Sequence, residues 1–155
     1  DSYKTYAAMI ALDRMAAEDP KIASDWIERH AGEKFVTADT LERVSRRAAG
    51  PINEELDWLA ALPQGDQQRH AIGERFEDYL RHDFEAAGKW LASQPLGPSY
   101  DEAIVDYARS AVKDNAEAAG AWAGRISDPK LREKTLNSVV PKLEKLERKR
   151  EAKLR

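Results

Sequence analysis

Four aligned segments decide the fold of this chain: DPKIASDWIERH (residues 19–30), PINEELDWLAAL (51–62), DFEAAGKWLASQ (83–94) and NAEAAGAWAGRI (115–126). Each segment holds one tryptophan, and successive tryptophans are 32 residues apart: Trp26, Trp58, Trp90 and Trp122. A period of this length is typical of stacked helical hairpins, because one hairpin buries its apolar face only against the next.

The first helix of each unit begins at a fixed distance before its tryptophan. Seven residues upstream stand Asp19, Pro51, Asp83 and Asn115, and three of these are good N-caps whose side chain accepts from a free backbone N–H. Positions three before and four after the tryptophan lie on the same helical face. We therefore predict four first helices, each running from its cap to about four residues past the tryptophan.

A second helix is predicted in each unit, after a short loop rich in Gly, Pro and Asp. The predicted starts are Thr37, Asp66, Ser99 and Asp128. Ser99 and Glu102 have the spacing of a capping box. Apolar residues then share one face, namely Ile72, Phe76, Tyr79 and Leu80 in the second unit and Ile104, Tyr107, Ala108 and Ala111 in the third. Three of these positions align at the same offset of 32: 72 with 104, 76 with 108 and 79 with 111.

These patterns predict an all-α fold, an α-solenoid of stacked antiparallel helix hairpins that forms one domain over residues 1–155. The predicted repeats are 19–50, 51–82, 83–114 and 115–146. Residues 1–18 align with the second helix of an earlier unit, and residues 141–155 form a charged C-terminal helix or tail. Since the first helix of that earlier unit is missing, we expect a fragment of a longer array.

The repeat resembles a known class of proteins. Two stretches of the form W-L-A-[AS]-[LQ]-P, at 58–63 and 90–95, and the Asp-x-x-x-Ala approach to Trp90 resemble bacterial tandem helical repeats of the tetratricopeptide-like superfamily. A standard tetratricopeptide unit has about 34 residues and a W-x2-L-G-x2-Y signature, whereas here Leu59 and Leu91 directly follow tryptophan. The resemblance implies the architecture and the usual role of such arrays, which is to hold a partner in a groove.

Composition and charge exclude several classes of function. The formal net charge is −3, which argues against a dedicated binder of the nucleic-acid backbone, and nucleic acid is therefore an unlikely partner. The charge is uneven, because residues 141–155 carry +4 and the remainder therefore carries −7. The chain has no cysteine, which excludes disulfides and thiolate sites. No stretch approaches the ~20 apolar residues of a membrane span.

Four side chains of types that can bind a metal are spaced four residues apart and are termed the His70–His82 line: His70, Glu74, Asp78 and His82. At about 100° per residue, this line lies opposite the apolar face of the same predicted helix and points to solvent. A metal centre would also need ligands from a second element. We predict a solvated polar face, and no tight binding of a divalent metal.

Catalytic motifs are missing from the sequence. Asp101, Glu102 and Asp106 form an acidic cluster that is interpreted as ordinary charge at a helix N-terminus. There is no glycine-rich phosphate loop, no HExxH and no nucleophile elbow. We therefore predict no catalytic residue and no cofactor, and a protein that is not an enzyme.

The C-terminal segment alternates Lys, Glu and Arg with three leucines: Leu143, Leu146 and Leu154. It predicts a helix with a narrow apolar stripe, which Pro141 should kink or restart. The segment is interpreted as a capping or frayed helix. The alternative is contact with an acidic partner or with the acidic body of another copy, so self-association through this segment is possible.

The tryptophans have two interpretations. As buried contacts between repeats they would stabilise the stack, and as exposed rings they would form a platform for a carbohydrate or a peptide. We favour burial, and predict that Trp58 and Trp90 are mostly buried in equivalent environments. Replacing either with alanine should then cost ~3–5 kcal/mol.

The predicted function is a non-enzymatic protein–protein interaction scaffold with a protein or peptide partner. The alternative is a helical array that binds nucleic acid or a glycan. A partner would contact the first-helix positions that the core does not use, five residues and one residue before each tryptophan. These positions form the candidate row: Lys21, Asp25, Asn53, Asp57, Glu85, Lys89, Glu117 and Ala121.

Overall fold

The structure, a computed structural model, describes residues 2–154, and this range contains nine α-helices, one 3₁₀ turn and no β-strand. The helices, α1 to α9 in chain order, are Ser2–Glu18, Pro20–His30, Ala38–Ala48, Ile52–Ala60, Asp66–His82, Phe84–Ser93, Asp101–Ala111, Ala116–Ala123 and Pro129–Leu154. The all-α prediction is confirmed. Asp1 and Arg155, the ends of the predicted segments 1–18 and 141–155, lie outside the described range. No helix within 2–154 is both long and apolar enough to cross a membrane.

Side-chain caps fix most of the helix starts. Asp19, Asp83 and Asn115 each accept a hydrogen bond from a backbone N–H two or three residues later, and Thr37 and Asp128 do the same, with N···O distances of 2.8–3.3 Å. These bonds satisfy donors that have no partner inside the helix. The side-chain caps predicted at Asp19, Asp83 and Asn115 are confirmed.

The helix ends are less regular than predicted. Only α2 runs four residues past its tryptophan, whereas α4 stops at Ala60 and α8 at Ala123. In α4 the cause is Pro63, since the residue before a proline is disfavoured in helical conformation. In α8 two glycines, Gly120 and Gly124, weaken the helix.

Two other local predictions are corrected. The capping box of Ser99 and Glu102 does not form, because Ser99 lies in the 3₁₀ turn Pro98–Tyr100 and its hydroxyl donates to Gln68 Oε1 at 2.7 Å. The chain also does not restart at Pro141. Instead α9 continues through this residue as one helix of 26 residues, so the predicted segments 115–146 and 141–155 share it.

Helices pack on helices that are close to them in sequence. The helices α2, α4, α6 and α8, which each hold one tryptophan, are termed the tryptophan helices, and the other five are termed the intervening helices. Each intervening helix packs on the next one, so that α1, α3, α5, α7 and α9 follow one another in contact. The tryptophan helices cover them: α2 packs mainly on α1, α4 on α3 and α5, α6 mainly on α5, and α8 on α7 and α9.

Burial recurs at fixed positions along the chain. In the first four intervening helices, one such set is fully buried: Leu12, Val44, Phe76 and Ala108. At the same offset on α9, Val140 is 40% exposed, so the recurrence ends there. In the tryptophan helices, the residue after each tryptophan is at most 1% exposed: Ile27, Leu59, Leu91 and Ala123. One core cluster extends from Leu12 to Ile126, and a smaller one joins α7, α8 and α9 around Val139.

The four tryptophans lie at the edge of this core, in different environments. Trp90 is buried, and its Nε1 donates to Oδ1 of Asp57 on α4 at 2.8 Å. Trp58 is only partly buried, and within residues 2–154 its enclosed Nε1 has no hydrogen-bond partner. The equivalent acceptor would be Asp25, which instead binds Lys21. The prediction of burial is confirmed for Trp90, but the predicted equivalence of Trp58 and Trp90 is wrong.

These two environments predict different effects of the same substitution. Trp90→Phe removes the N–H that binds Asp57 and should destabilise the protein by about 1 kcal/mol. Trp58→Phe removes an N–H without a protein partner and should change the stability by less than about 0.5 kcal/mol. Urea unfolding of both variants measures the difference. Equal losses for the two variants would contradict the role of the Trp90–Asp57 bond.

A close approach of α5 and α7 crowds several carboxylates. A Cβ on Gly73 would lie 2.8 Å from the Cβ of Glu102, so only glycine fits this helix crossing without movement of its neighbour. Asp106, on α7, is half-buried. Its pKa is raised to about 6. Burial is the largest cause, and the charges of Glu77, Glu102 and Glu74 also raise the pKa, whereas the charge of Arg109 lowers it.

The raised pKa of Asp106 predicts a pH dependence of stability. Between the ordinary pKa of a free aspartate and about 6, the folded state binds more protons than the unfolded state, so stability falls as pH rises through this window. Asp106→Asn should therefore stabilise the protein at pH 7 by about 1 kcal/mol, once solvent screening is allowed for. Near pH 4 the difference should vanish.

Urea unfolding at several pH values measures this difference. Glu28→Gln, at an exposed position of α2, is the matched control for the removal of one carboxylate. A constant difference between Asp106→Asn and the parent protein from pH 4 to pH 7 would contradict the assignment.

Candidate interaction surface

The structure places the candidate row on the surface of the tryptophan helices. Seven of its eight residues are exposed, and Asn53 is half-buried. The predicted orientation is therefore correct, because the buried residues of these helices lie on the other side.

Charges in the row are paired within single helices. Nζ of Lys21 binds both carboxylate oxygens of Asp25 at 3.0 Å, and Nζ of Lys89 binds Glu85 at 2.7 Å. The hydrogen bond to Glu85, and then the charge of Glu85, raise the pKa of Lys89. Exposed pairs of this kind contribute little to stability, so both remain available to a partner. The two pairs have opposite order along the helix, so the charge at equivalent row positions differs between α2 and α6.

Asp57 has a structural role in addition to its place in the row. It accepts the hydrogen bond from Trp90 and so joins α4 to α6. Its charge also contributes, after burial, to the raised pKa of Tyr100. Within residues 2–154, no hydrogen bond or ion pair joins two row positions on different helices.

Side chains of the His70–His82 line contact other residues. Nδ1 of His70 lies 2.9 Å from Oε2 of Glu102, and the carboxylate of Asp78 contacts Arg75 and Arg81. His70, Glu74 and His82 are exposed, as predicted, and Asp78 is half-buried. In the described part of the chain, no group of three or more His, Asp or Glu side chains is placed to hold a metal ion.

Asp101 corrects the interpretation of the acidic cluster as ordinary charge at a helix N-terminus. Its side chain is buried and accepts from the backbone N–H and the hydroxyl of Ser127, both at 2.7 Å, and from the N–H of Asp128 at 3.0 Å. It therefore ties the start of α7 to the loop between α8 and α9. A buried carboxylate with three donors is a fixed structural element.

Two other buried polar residues were missed by the sequence analysis. Gln68 donates to the carbonyls of Leu59 and Leu62 at 3.1 Å and holds the end of α4 against α5. Glu55 binds Nε of Arg75 at 2.5 Å. Burial alone would lower the pKa of Arg75, but the hydrogen bond and charge of Glu55, and then Asp78, raise it. Glu55 stands where the other three units have alanine, and this exception was visible in the sequence.

An unpredicted surface feature lies where α9 extends beyond α7 and α8. A cleft of about 600 Å³ is lined by the start of α8 together with Leu143, Leu146 and Arg150. A groove of about 280 Å³ adjoins this cleft and shares Lys113 and Leu146 with it, and it is lined by Val112, Leu146 and four lysines: Lys113, Lys142, Lys145 and Lys149. The groove could not be seen in the sequence, because Lys113 and the other three lysines come from different elements.

Comparison of the chain with protein-family models, with curated proteins and with solved structures finds no match. The resemblance to tetratricopeptide-like arrays therefore rests on the sequence repeat alone.

Proposed function

We propose that the protein is a non-enzymatic interaction scaffold, built as a tetratricopeptide-like α-solenoid with a 32-residue repeat. The observation that carries this proposal is the recurrence of full burial at one register, in Leu12, Val44, Phe76 and Ala108. The packing of each intervening helix on the next supports it. Chains built in this way expose long surfaces relative to their size, and such surfaces commonly bind other proteins.

The candidate row is the proposed contact surface for a protein or peptide. Its side chains are exposed on four successive tryptophan helices, and the core does not need most of them. The reversed order of Lys21–Asp25 and Glu85–Lys89 would present a position-specific pattern of both charge signs to a partner. Complementary charges contribute more to specificity and association rate than to affinity.

Burial of the tryptophans favours a protein partner over a glycan. Trp90 is only 8% exposed and the other three indoles are partly buried, so no open row of ring faces is available for stacking on sugars. Asp57 is left out of the test of the row, because its bond to Trp90 would confuse a loss of binding with a loss of stability.

The test exchanges charges without breaking their pairs. One variant carries Lys21→Asp with Asp25→Lys, and a second carries Glu85→Lys with Lys89→Glu. Each keeps an i,i+4 pair, so unfolding free energies should stay within about 0.5 kcal/mol of the parent value. The matched control exchanges Arg14 and Glu18, an exposed i,i+4 pair on α1 outside the row.

Partner capture is then measured with a photo-crosslinking residue at position 53 or 117. We expect both sites to capture the same protein, and both row exchanges to reduce its yield about tenfold while the control exchange does not. A crosslinker at position 74, on the intervening helix α5, should capture less of it. Equal capture from all variants and sites would remove the row from consideration.

A further inference from the structure

The groove beside α9 combines an apolar floor with a ring of positive charge. Val112 at the end of α7 and Leu146 on α9 line its floor, and since Val112 is 1% exposed and Leu146 is half-buried, Leu146 offers most of the apolar surface. Lys113, Lys142, Lys145 and Lys149 surround them and are exposed. Within residues 2–154 no acidic side chain lines this groove, and Asp114, Glu117 and Glu147 line the adjoining cleft.

These lysines are not neutralised by the protein itself. Within residues 2–154 none of the four forms an ion pair, whereas Lys21, Lys89 and Arg148 each bind a carboxylate four residues away. Lys145 and Lys149 are four residues apart on α9, and two like charges at this spacing slightly destabilise a helix. The repulsion between these lysines thus slightly lowers the stability of the free protein, and a bound anion would offset this repulsion.

Beyond Pro141, the lysines and the glutamates of α9 lie on opposite sides of the helix. At about 100° per residue, the lysines at 142, 145, 149 and 153 centre on one face and the glutamates at 144, 147 and 151 on the opposite face, while Arg148 and Arg150 lie between the two. A helix that used its charges only for solubility would pair them at i,i+4 around its whole surface. Here the pairing of Glu144 with Arg148 lies away from the groove.

We propose that this groove binds an acidic segment of a partner protein, with one apolar side chain on Val112 and Leu146 and flanking carboxylates on the four lysines. The proposal deepens the scaffold function and rests on it only in taking the partner to be a protein. It concerns a different surface, since the candidate row lies on the tryptophan helices.

The shape and surroundings of the groove favour a peptide over other anions. No aromatic ring lines it, so it lacks the stacking surface that single-stranded nucleic acids use. The glutamate face of α9 would repel a long polyanion that follows the helix. A short acidic segment meets none of these obstacles.

The test uses the whole protein and a fluorescein-labelled peptide, acetyl-EEELEEE-amide, with fluorescence anisotropy as the readout. The groove variant carries Lys142→Gln, Lys145→Gln and Lys149→Gln. The matched control carries Lys4→Gln, Lys130→Gln and Lys134→Gln, which removes the same charge from exposed positions outside the groove. Urea unfolding should show that both variants remain folded.

We expect the parent protein to bind the peptide, the groove variant to bind it about tenfold more weakly, and the control to bind it within about twofold of the parent. Replacing the central leucine with alanine should weaken binding further, and added salt should weaken it in the parent. Equal losses in the groove and control variants would overturn the proposal in favour of non-specific charge attraction, and no binding to the parent would overturn it outright.

Three further measurements separate other ligands. Tighter, lysine-dependent binding of a single-stranded oligonucleotide, or of vesicles containing phosphatidylserine, would replace the peptide with that ligand and overturn the proposal. A dimer in sedimentation experiments that the groove variant abolishes would assign the groove to a second copy and also overturn it. The charge exchanges in the row should leave peptide binding unchanged, so a failure here and a failure of the row can be told apart.

Discussion

The stacking of each helix on its neighbours in sequence is the interaction on which the rest of this structure depends. A single helical hairpin has too little apolar surface to enclose a core, so burial has to come from the adjoining helices. Phe76 shows the principle: it is fully buried on α5, which packs against α3, α4, α6 and α7. The surfaces left over, on the outer side of the tryptophan helices and beside α9, are the ones that can serve a partner.

Buried polar groups complete what the apolar contacts begin. Where the apolar register is interrupted, a partner has been supplied: Glu55 has Arg75, Gln68 has carbonyls at the end of α4, and Asp101 has Ser127 and the loop before α9. A buried polar group without a partner is unfavourable, so each of these pairs also fixes the position of a loop or helix end. The helices are therefore held in register by direction-dependent bonds as well as by burial.

The sequence was sufficient for the fold class, the caps at Asp19, Asp83 and Asn115 and the outward side of the candidate row, because these follow from local chemistry and helical periodicity. It was not sufficient for the tryptophans, since the choice of Asp57 to bind Trp90, and of Asp25 to bind Lys21, depends on distances between helices. The lysine groove was missed for the same reason. Three of its lysines were visible as basic residues of the C-terminal segment, but their meeting with Lys113 requires the packing of α9 against α7.

Packing between neighbours in sequence also shapes how the chain folds and opens. Contacts over short sequence separations need little loop closure, which favours rapid folding. Within residues 2–154, α1 packs only on the helices that follow it and α9 only on those that precede it. On α1, Tyr3 and Tyr6 are more than half exposed and Ile10 is half exposed. Amide hydrogens in α1 and in the outer half of α9 should therefore exchange through local openings, while those of α5 exchange only when the larger part of the protein unfolds. The helices in the middle of the chain should therefore stay folded while α1 and the outer half of α9 open and close locally.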